Sequence, residues 1–378
     1  MDDFTFYLIY KRRKPSKRRH KIWHEFRDLF NCMFCIPCPP TFESFMRKTV
    51  FLPPTVTYDF RKFMMHSNGE GGVIGRNFDQ KLCRKYEHFE SSSGKSFFFK
   101  HGCDFMYKYL ICDEILKFTR IRATFVSNFT TNSHLKLRRR EFSPAKLAAC
   151  LIETQRIQSE NDFIILHCHC NKVDLGLQMP FNIYLSWRLN CPIFSFDYSG
   201  YGLSAGQPSE CNLRRNVVEA YYFLIDVLKI QPRKIIVFGE SLGTVAALHL
   251  ASKAPEIGAV ILVGVLVSAF RLLFPRMRSN LPIDQLQNFD NIPKVRCPTL
   301  LIHGALDKVA PILQVQHFMD LCPNAKFSLI IPDGQHDDLM SHAAYWTRLE
   351  LFIRELGVSV KSEDVNYCSM FCPGLSKS

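Results

Sequence analysis

Ser241 sits in Gly239-Glu240-Ser241-Leu242-Gly243, after the apolar run 234–238 and before Thr244-Val245-Ala246-Ala247-Leu248. A strand, a tight turn and a helix in that order make a nucleophile elbow, which thrusts the central hydroxyl into the open at the top of a sheet. Glycines flank the serine because the turn is strained and a strand and a helix pass close by. The hydroxyl also stands at a helix N-terminus, where the helix dipole favours developing negative charge. The chemistry implied is acyl transfer through a covalent serine intermediate. A serine hydroxyl is a weak nucleophile on its own, so a histidine and an orienting carboxylate must follow. An incidental Gly-Ser turn is the competing reading.

Both partners are found downstream. Leu300-Leu301-Ile302-His303-Gly304 reads as a strand that opens into a loop carrying Asp307. The next apolar run, 327–331, opens into Asp333-Gly334-Gln335-His336-Asp337-Asp338. Catalytic groups gather at the carboxyl ends of strands in open α/β sheets. Ser241 is therefore read as nucleophile, His336 as general acid/base and Asp307 as its orienting acid. Asp333, Asp337 and Asp338 are rivals for the last role. Residues adjacent to the base seldom reach its far ring nitrogen, which favours Asp307.

An oxyanion hole needs two backbone N–H groups. Leu242, just after the serine, supplies one. The second is assigned to Asn171, in the loop 167–172 that follows the apolar run 163–166. His167 and His169 alternate along that stretch and share a strand face, so a metal pair is conceivable there. No third histidine or carboxylate lies near them in the sequence. The set calls for no metal and no cofactor.

Elements must hold these residues. Strands are expected at 163–166, 193–196, 234–238, 259–265, 299–303 and 327–331. Helices are expected at 210–229, where Leu213, Val217, Tyr221, Leu224 and Leu228 recur at helical spacing, at 241–252, and at 342–356 with Gly357 as C-cap. Short apolar strands alternating with helices predict an α/β fold, a mostly parallel sheet covered by helices on both faces. The domain limits follow: a basic, cysteine-containing segment at 1–50, a connector and irregular insert at 51–115, the α/β domain at 116–357, and a polar tail at 358–378.

Composition narrows the partners. The chain has 378 residues, 47% of them apolar and 22% charged, which is a globular balance. Its longest largely apolar stretch, 257–270, falls short of the roughly 18 residues that a spanning helix needs. The net charge is +13, and eight Lys/Arg fall between Lys11 and Lys21. Such a run points to an anionic partner, either nucleic acid or a membrane surface, or else to a solvated arm. No nucleic-acid recognition motif accompanies it, so nucleic acid is not expected. The 15 cysteines form no paired framework, and a reducing, cytosolic compartment is expected.

Three stretches carry a family resemblance. Phe196-Asp197-Tyr198-Ser199-Gly200-Tyr201-Gly202-Leu203-Ser204-Ala205-Gly206-Gln207-Pro208-Ser209-Glu210 resembles the loop after the fourth strand of the alpha/beta hydrolase domain-containing 17 family. Asn171-Lys172-Val173-Asp174-Leu175-Gly176 resembles that family's segment after its His-Gly pair. Cys32, Cys35 and Cys38, followed by Phe51-Leu52-Pro53-Pro54 and Tyr58, resemble its N-terminus. The resemblance covers about residues 30–60 and 160–357. It implies an alpha/beta-hydrolase fold with an irregular N-terminal arm, and a serine thioesterase that removes palmitate from S-acylated, membrane-attached proteins. Lipid or small-ester hydrolysis, and a silent relative that binds acylated proteins, remain alternatives.

The resemblance also implies that Cys32, Cys35 and Cys38 are acylation sites and that the protein works at the cytoplasmic face of a cell or endosomal membrane. One acyl chain holds a protein only marginally, and a second chain or a polybasic patch makes attachment stable. This N-terminus carries candidates for both. A metal site or an inert cluster are the other readings of those cysteines. Two positions depart from the family. His169-Cys170 replaces His-Gly, where a Cβ is expected to disturb the Asn171 amide, and Val263-Gly264-Val265 replaces His-Ser-Pro.

Overall fold

The computed structural model describes residues 50–58, 119–126, 146–154, 163–269, 271, 284–325 and 328–371. The basic run, Cys32, Cys35, Cys38 and the insert at 66–115 lie outside the described residues.

The short apolar runs become the strands of one eight-stranded sheet among the described residues. In chain order these are β1 (Thr119–Val126), β2 (Leu147–Thr154), β3 (Ile164–Cys168), β4 (Ile193–Phe196), β5 (Ile235–Glu240), β6 (Ala259–Val263), β7 (Thr299–Gly304) and β8 (Leu329–Ile331). Their order across the sheet is β1-β2-β4-β3-β5-β6-β7-β8. The β1–β2 and β2–β4 pairs are antiparallel, and every other pair is parallel. The expected mostly parallel sheet is therefore present. The antiparallel pair at its edge was not anticipated as such. β1 alternates buried and exposed residues with Arg120 and Arg122 outward, while β2 is apolar and buried from Leu147 to Ile152. A charged outer strand protects the sheet edge from pairing with other chains.

Five helices flank the sheet among the described residues: α1 (Leu175–Leu189), α2 (Glu210–Tyr222), α3 (Gly243–Lys253), α4 (Ile312–Asp320) and α5 (Ala343–Phe371). The Asp174 carboxylate caps α1 by accepting from the Leu177 N–H, and Ser209 caps α2 through the Asn212 N–H. Such side-chain caps satisfy donors that a helix start leaves unpaired. The helix expected over 210–229 is α2 continued by a π turn at Phe223–Val227.

The helix expected to stop at Gly357 instead continues to Phe371. A glycine inside a helix costs about 1 kcal/mol relative to alanine, which is not enough to end a helix. The expected tail is thus helical in its first part.

Successive residues of a strand point to opposite faces. Ile165, Ile236, Phe238, Ile261 and Ile302 join α1 and α5 in one core, where Trp346 meets Tyr184 edge-on at 4.8 Å between ring centres. Their neighbours Leu166, Val237, Val260 and Leu301 are equally buried, on the face that α3 covers. Each such side chain contributes roughly 1.5–3 kcal/mol by leaving water. No described helix is long and apolar enough to cross a membrane.

The sheet also silences its cysteines. Cys150, Cys168, Cys191 and Cys297 are buried, and burial pushes Cys191 and Cys297 up to about 12 and the other two further. Only a thiolate reacts readily with alkylating agents. Brief iodoacetamide treatment of the native protein at pH 8 should therefore modify exposed Cys211 and spare these four until denaturant is added, as read by peptide mass mapping. Modification of Cys168 as fast as Cys211 would contradict a central β3.

Candidate active site

The turn between β5 and α3 holds Ser241 at φ 49°, the left-handed region that residues other than glycine and asparagine rarely enter. The turn is fixed from two sides. The Ser241 N–H donates to the Val263 carbonyl at the end of β6, at 2.9 Å. The Thr244 hydroxyl donates to the Ser241 carbonyl at 2.6 Å, and its oxygen accepts from the Leu266 N–H. Gly243 is demanded by contact: a Cβ there would stand 2.0 Å from the Cys168 carbonyl oxygen. The start of α3 thus rests against the end of β3.

Three sequence-predicted residues meet at this edge. The Ser241 Oγ lies 2.8 Å from His336 Nε2, and His336 Nδ1 lies 2.7 Å from Asp307 Oδ2. Ser241 leaves β5, Asp307 follows β7 and His336 follows β8, so the parallel sheet brings together residues up to 95 positions apart. Asp307 also accepts the Val309 and Ala310 N–H groups at Oδ1, at 2.7 and 2.8 Å. Burial alone would raise this carboxyl. The hydrogen bond and charge of His336, with His303 and the Ala310 N–H, outweigh burial and hold it below the usual aspartate value.

An ionised carboxylate only accepts, so Nδ1 carries the proton and Nε2 is left to accept from the serine hydroxyl. Two of the three rival acids are engaged elsewhere. Asp338 accepts from Gln335, and Asp333 stands 3.6 Å from His342.

Asn171 and Leu242 also come to this edge. Cys168 at the end of β3 pairs with Gly239 on β5, which sets the loop after β3 beside the elbow. Among the described residues, no acceptor takes the backbone N–H of either Leu242 or Asn171. Cys170 does not occupy the left-handed backbone region for which a glycine would be needed. The left-handed residue of this loop is Lys172, at φ 63°. Gly264 does need its freedom: it has φ 59°, and a Cβ there would come within 3.2 Å of the His336 ring.

Sequence reasoning missed the carboxylates that answer His167 and His169. His167 Nε2 stands 3.3 Å from Glu240, which also accepts from Gln178, and His169 Nε2 stands 3.3 Å from Asp197. Each histidine has its own carboxylate, and no group of described residues could hold a metal ion. Asp197 further accepts from the Leu175 N–H and the Tyr58 hydroxyl. Burial raises its carboxyl more than His169 and Tyr58 lower it. Position alone gave no signal of these pairs, because their members lie 28 and 73 residues apart.

No family model matches the chain. Individual relatives do. The chain is 32% identical over 332 residues to the alpha/beta hydrolase domain-containing protein aho-3 of Caenorhabditis elegans, spanning 87% of this chain and 82% of the relative. It is 32% identical over 327 residues to alpha/beta hydrolase domain-containing protein 17C of Xenopus laevis, spanning 85% of this chain and 92% of the relative. Against the human 17C protein the identity is 39% over 198 residues, 52% of this chain and 60% of that one. With that extent of likeness around a serine elbow on a mostly parallel sheet, the chain belongs to the alpha/beta hydrolase domain-containing 17 family.

Proposed function

We propose that the protein is a serine thioesterase that removes fatty acyl groups from cysteines of membrane-attached proteins. The observation that carries this reading is the continuous hydrogen-bond chain Ser241–His336–Asp307 at the carboxyl edge of the sheet. That geometry supports the following steps. His336 Nε2 takes the serine proton as Oγ attacks the thioester carbonyl. The oxyanion so formed is met by the N–H groups of Leu242 and Asn171. The C–S bond then breaks, and His336 returns the proton to the departing cysteine thiolate. The acyl group is left on Ser241. Water, deprotonated by His336, attacks this ester and releases the fatty acid, which restores the serine. Asp307 keeps the imidazole in the required tautomer and stabilises its charged form.

Family membership and the N-terminal sequence support the choice of substrate. Acylation at Cys32, Cys35 and Cys38, together with the basic run 11–21, would hold the enzyme on an anionic cytoplasmic leaflet, of the cell or endosomal membrane, where S-acylated proteins reside. Each Lys or Arg near such a surface adds on the order of 1 kcal/mol of attraction.

A fluorophosphonate probe should label the purified wild-type protein, and Ser241→Ala should abolish the labelling. Asp307→Asn should lower turnover by about 10³–10⁴-fold, because the wrong imidazole nitrogen then carries the proton. A folded wild type that resists the probe would end the serine reading and favour a silent, acyl-binding relative.

Substrate class is decided by turnover of a palmitoylated cysteine peptide beside a monoacylglycerol. Faster release of palmitate from the peptide is expected, and preference for the glyceride would move the assignment to a lipid hydrolase. Replacing Cys32, Cys35 and Cys38 together by serine should shift the protein from the membrane to the soluble fraction of expressing cells. An unchanged distribution would remove acylation from the account.

A further inference from the structure

Residues 50–58 lie across the loop that carries the second oxyanion donor and bond to it at several points. The Leu52 N–H donates to Asn171 Oδ1 at 3.1 Å, and Asn171 Nδ2 donates to the Val50 carbonyl at 2.5 Å. Further along, the Thr57 N–H donates to Asp174 Oδ2 at 2.8 Å, and the Thr57 hydroxyl donates to the other oxygen of the same carboxylate. Tyr58 closes the contact. Its hydroxyl donates to Asp197 Oδ2 at 2.5 Å and accepts from the Leu203 N–H at 3.0 Å.

The body of the protein is shaped to receive this segment. A Cβ on Gly176, in the first turn of α1, would stand 2.3 Å from Thr57 Oγ1. A Cβ on Gly202 would meet Asp197 Oδ2 at 1.9 Å and the Tyr58 hydroxyl at 2.7 Å. Both glycines leave the space in which the strap and its carboxylate partner sit. Phe51 and Tyr58, one near each end, are buried, while Leu52 and Val56 between them are exposed.

We infer that Val50–Tyr58 is a strap that positions the oxyanion loop, with the side chains of Asn171, Asp174 and Tyr58 as the positioning residues. The inference rests on the serine-hydrolase reading above and adds a role to it. The amide of Asn171 is clamped at both ends: Oδ1 takes the Leu52 N–H, the Tyr201 hydroxyl and the Lys172 N–H, while Nδ2 is spent on Val50. A side chain held on four sides fixes the direction of its own backbone N–H. Asp174 caps α1 and grips Thr57 with the same carboxylate, so the far end of the loop is tied to the strap as well. Preorganised donors stabilise a transition state only when they already point at the developing oxyanion. A misplacement of about 1 Å can cost 10²-fold in rate. The strap also continues the chain that bears Cys32, Cys35 and Cys38, so the segment proposed for membrane attachment leads directly into the element that sets the oxyanion loop.

The test uses the full-length protein and two variants. Asn171→Ala keeps the backbone N–H and removes its clamp. Tyr58→Phe removes one hydroxyl from the far end of the strap. The readouts are the rate of phosphonylation by a fluorophosphonate probe, kcat and KM on p-nitrophenyl acetate, and the thermal midpoint. Asn171→Ala should lower kcat and the phosphonylation rate by roughly 10²-fold, with KM within about twofold and the folded fraction unchanged. Tyr58→Phe should lower both rates about tenfold. A purely structural strap would lower the thermal midpoint and leave kcat per folded molecule alone. That result, or wild-type kcat in Asn171→Ala, overturns the inference. If Tyr58→Phe does not fold, Asn171→Ala decides alone. A wild type that does not react with the probe overturns the serine reading, and the strap's proposed role falls with it. A wild type that reacts alongside an equally reactive Asn171→Ala overturns only the strap.

Discussion

The site depends on one unfavourable backbone angle, the left-handed φ of Ser241. For a residue with a Cβ this conformation costs roughly 1–2 kcal/mol. The strain persists because the surroundings over-determine it. β5 is buried along all six of its residues, with β3 on one side and β6 on the other. Full burial of a single isoleucine or phenylalanine in that strand contributes roughly 1.5–3 kcal/mol, so one side chain offsets the turn and the others leave a surplus. The hydrogen bonds from Ser241 to Val263 and from Thr244 to Ser241 then leave the serine no room to relax. Moving the Ser241 backbone would require moving the sheet.

Electrostatics near the turn divide by the charges that face each buried carboxylate. Asp307 and Asp197 are both buried and both stand beside a histidine, yet their carboxyls shift in opposite directions. Asp307 has two backbone N–H groups on one oxygen and His336 in hydrogen-bond contact on the other. Asp197 has one backbone N–H, a tyrosine hydroxyl, and a histidine at 3.3 Å. Removing a carboxylate from water carries a penalty of several kcal/mol; at Asp307 the facing His336 and His303 outweigh it, whereas at Asp197 the nearby Asp174 charge adds to it. Asp307 is therefore suited to remain charged beside an imidazole that gains and loses a proton. Asp197 is suited to hold three chain segments together. The same residue type meets an imidazole at the sheet edge in one place and joins chain segments in the other.

The difference explains what could be read in the sequence. The elbow, the strand ending before Asp307 and the loop holding His336 are local patterns: an apolar run, a break, and a polar residue just past it. Strand periodicity and the order of the three residues therefore place Ser241, Asp307 and His336 without coordinates. The Asp197–His169 and Glu240–His167 pairs leave no such trace, because each joins residues from neighbouring strands whose order in the sheet is not their order in the chain. β1 and β2 did leave local traces, since Arg120 and Arg122 alternate with buried residues and residues 147–152 form a continuous apolar run, but their antiparallel pairing at the edge of a mostly parallel sheet is set by contacts the chain order does not show. Gly357 misled in the opposite sense. A glycine after an apolar periodic stretch resembles a C-cap, but helix propensity penalises it too weakly to stop α5 there.

The substitution at Cys170 also becomes intelligible once the origin of the loop's shape is known. A glycine is required where a chain must adopt positive φ or pass where no Cβ fits. In this loop the positive φ falls on Lys172, two residues later. The backbone at 169–171 takes its course from outside contacts instead. The Tyr198 hydroxyl donates to the His169 carbonyl at 2.7 Å, and Asn171 is gripped by the strap and by Tyr201. A loop shaped by its own glycines would be sensitive to every added Cβ. Contacts with Val50–Tyr58 and with Tyr198 and Tyr201 hold this loop on either side of position 170.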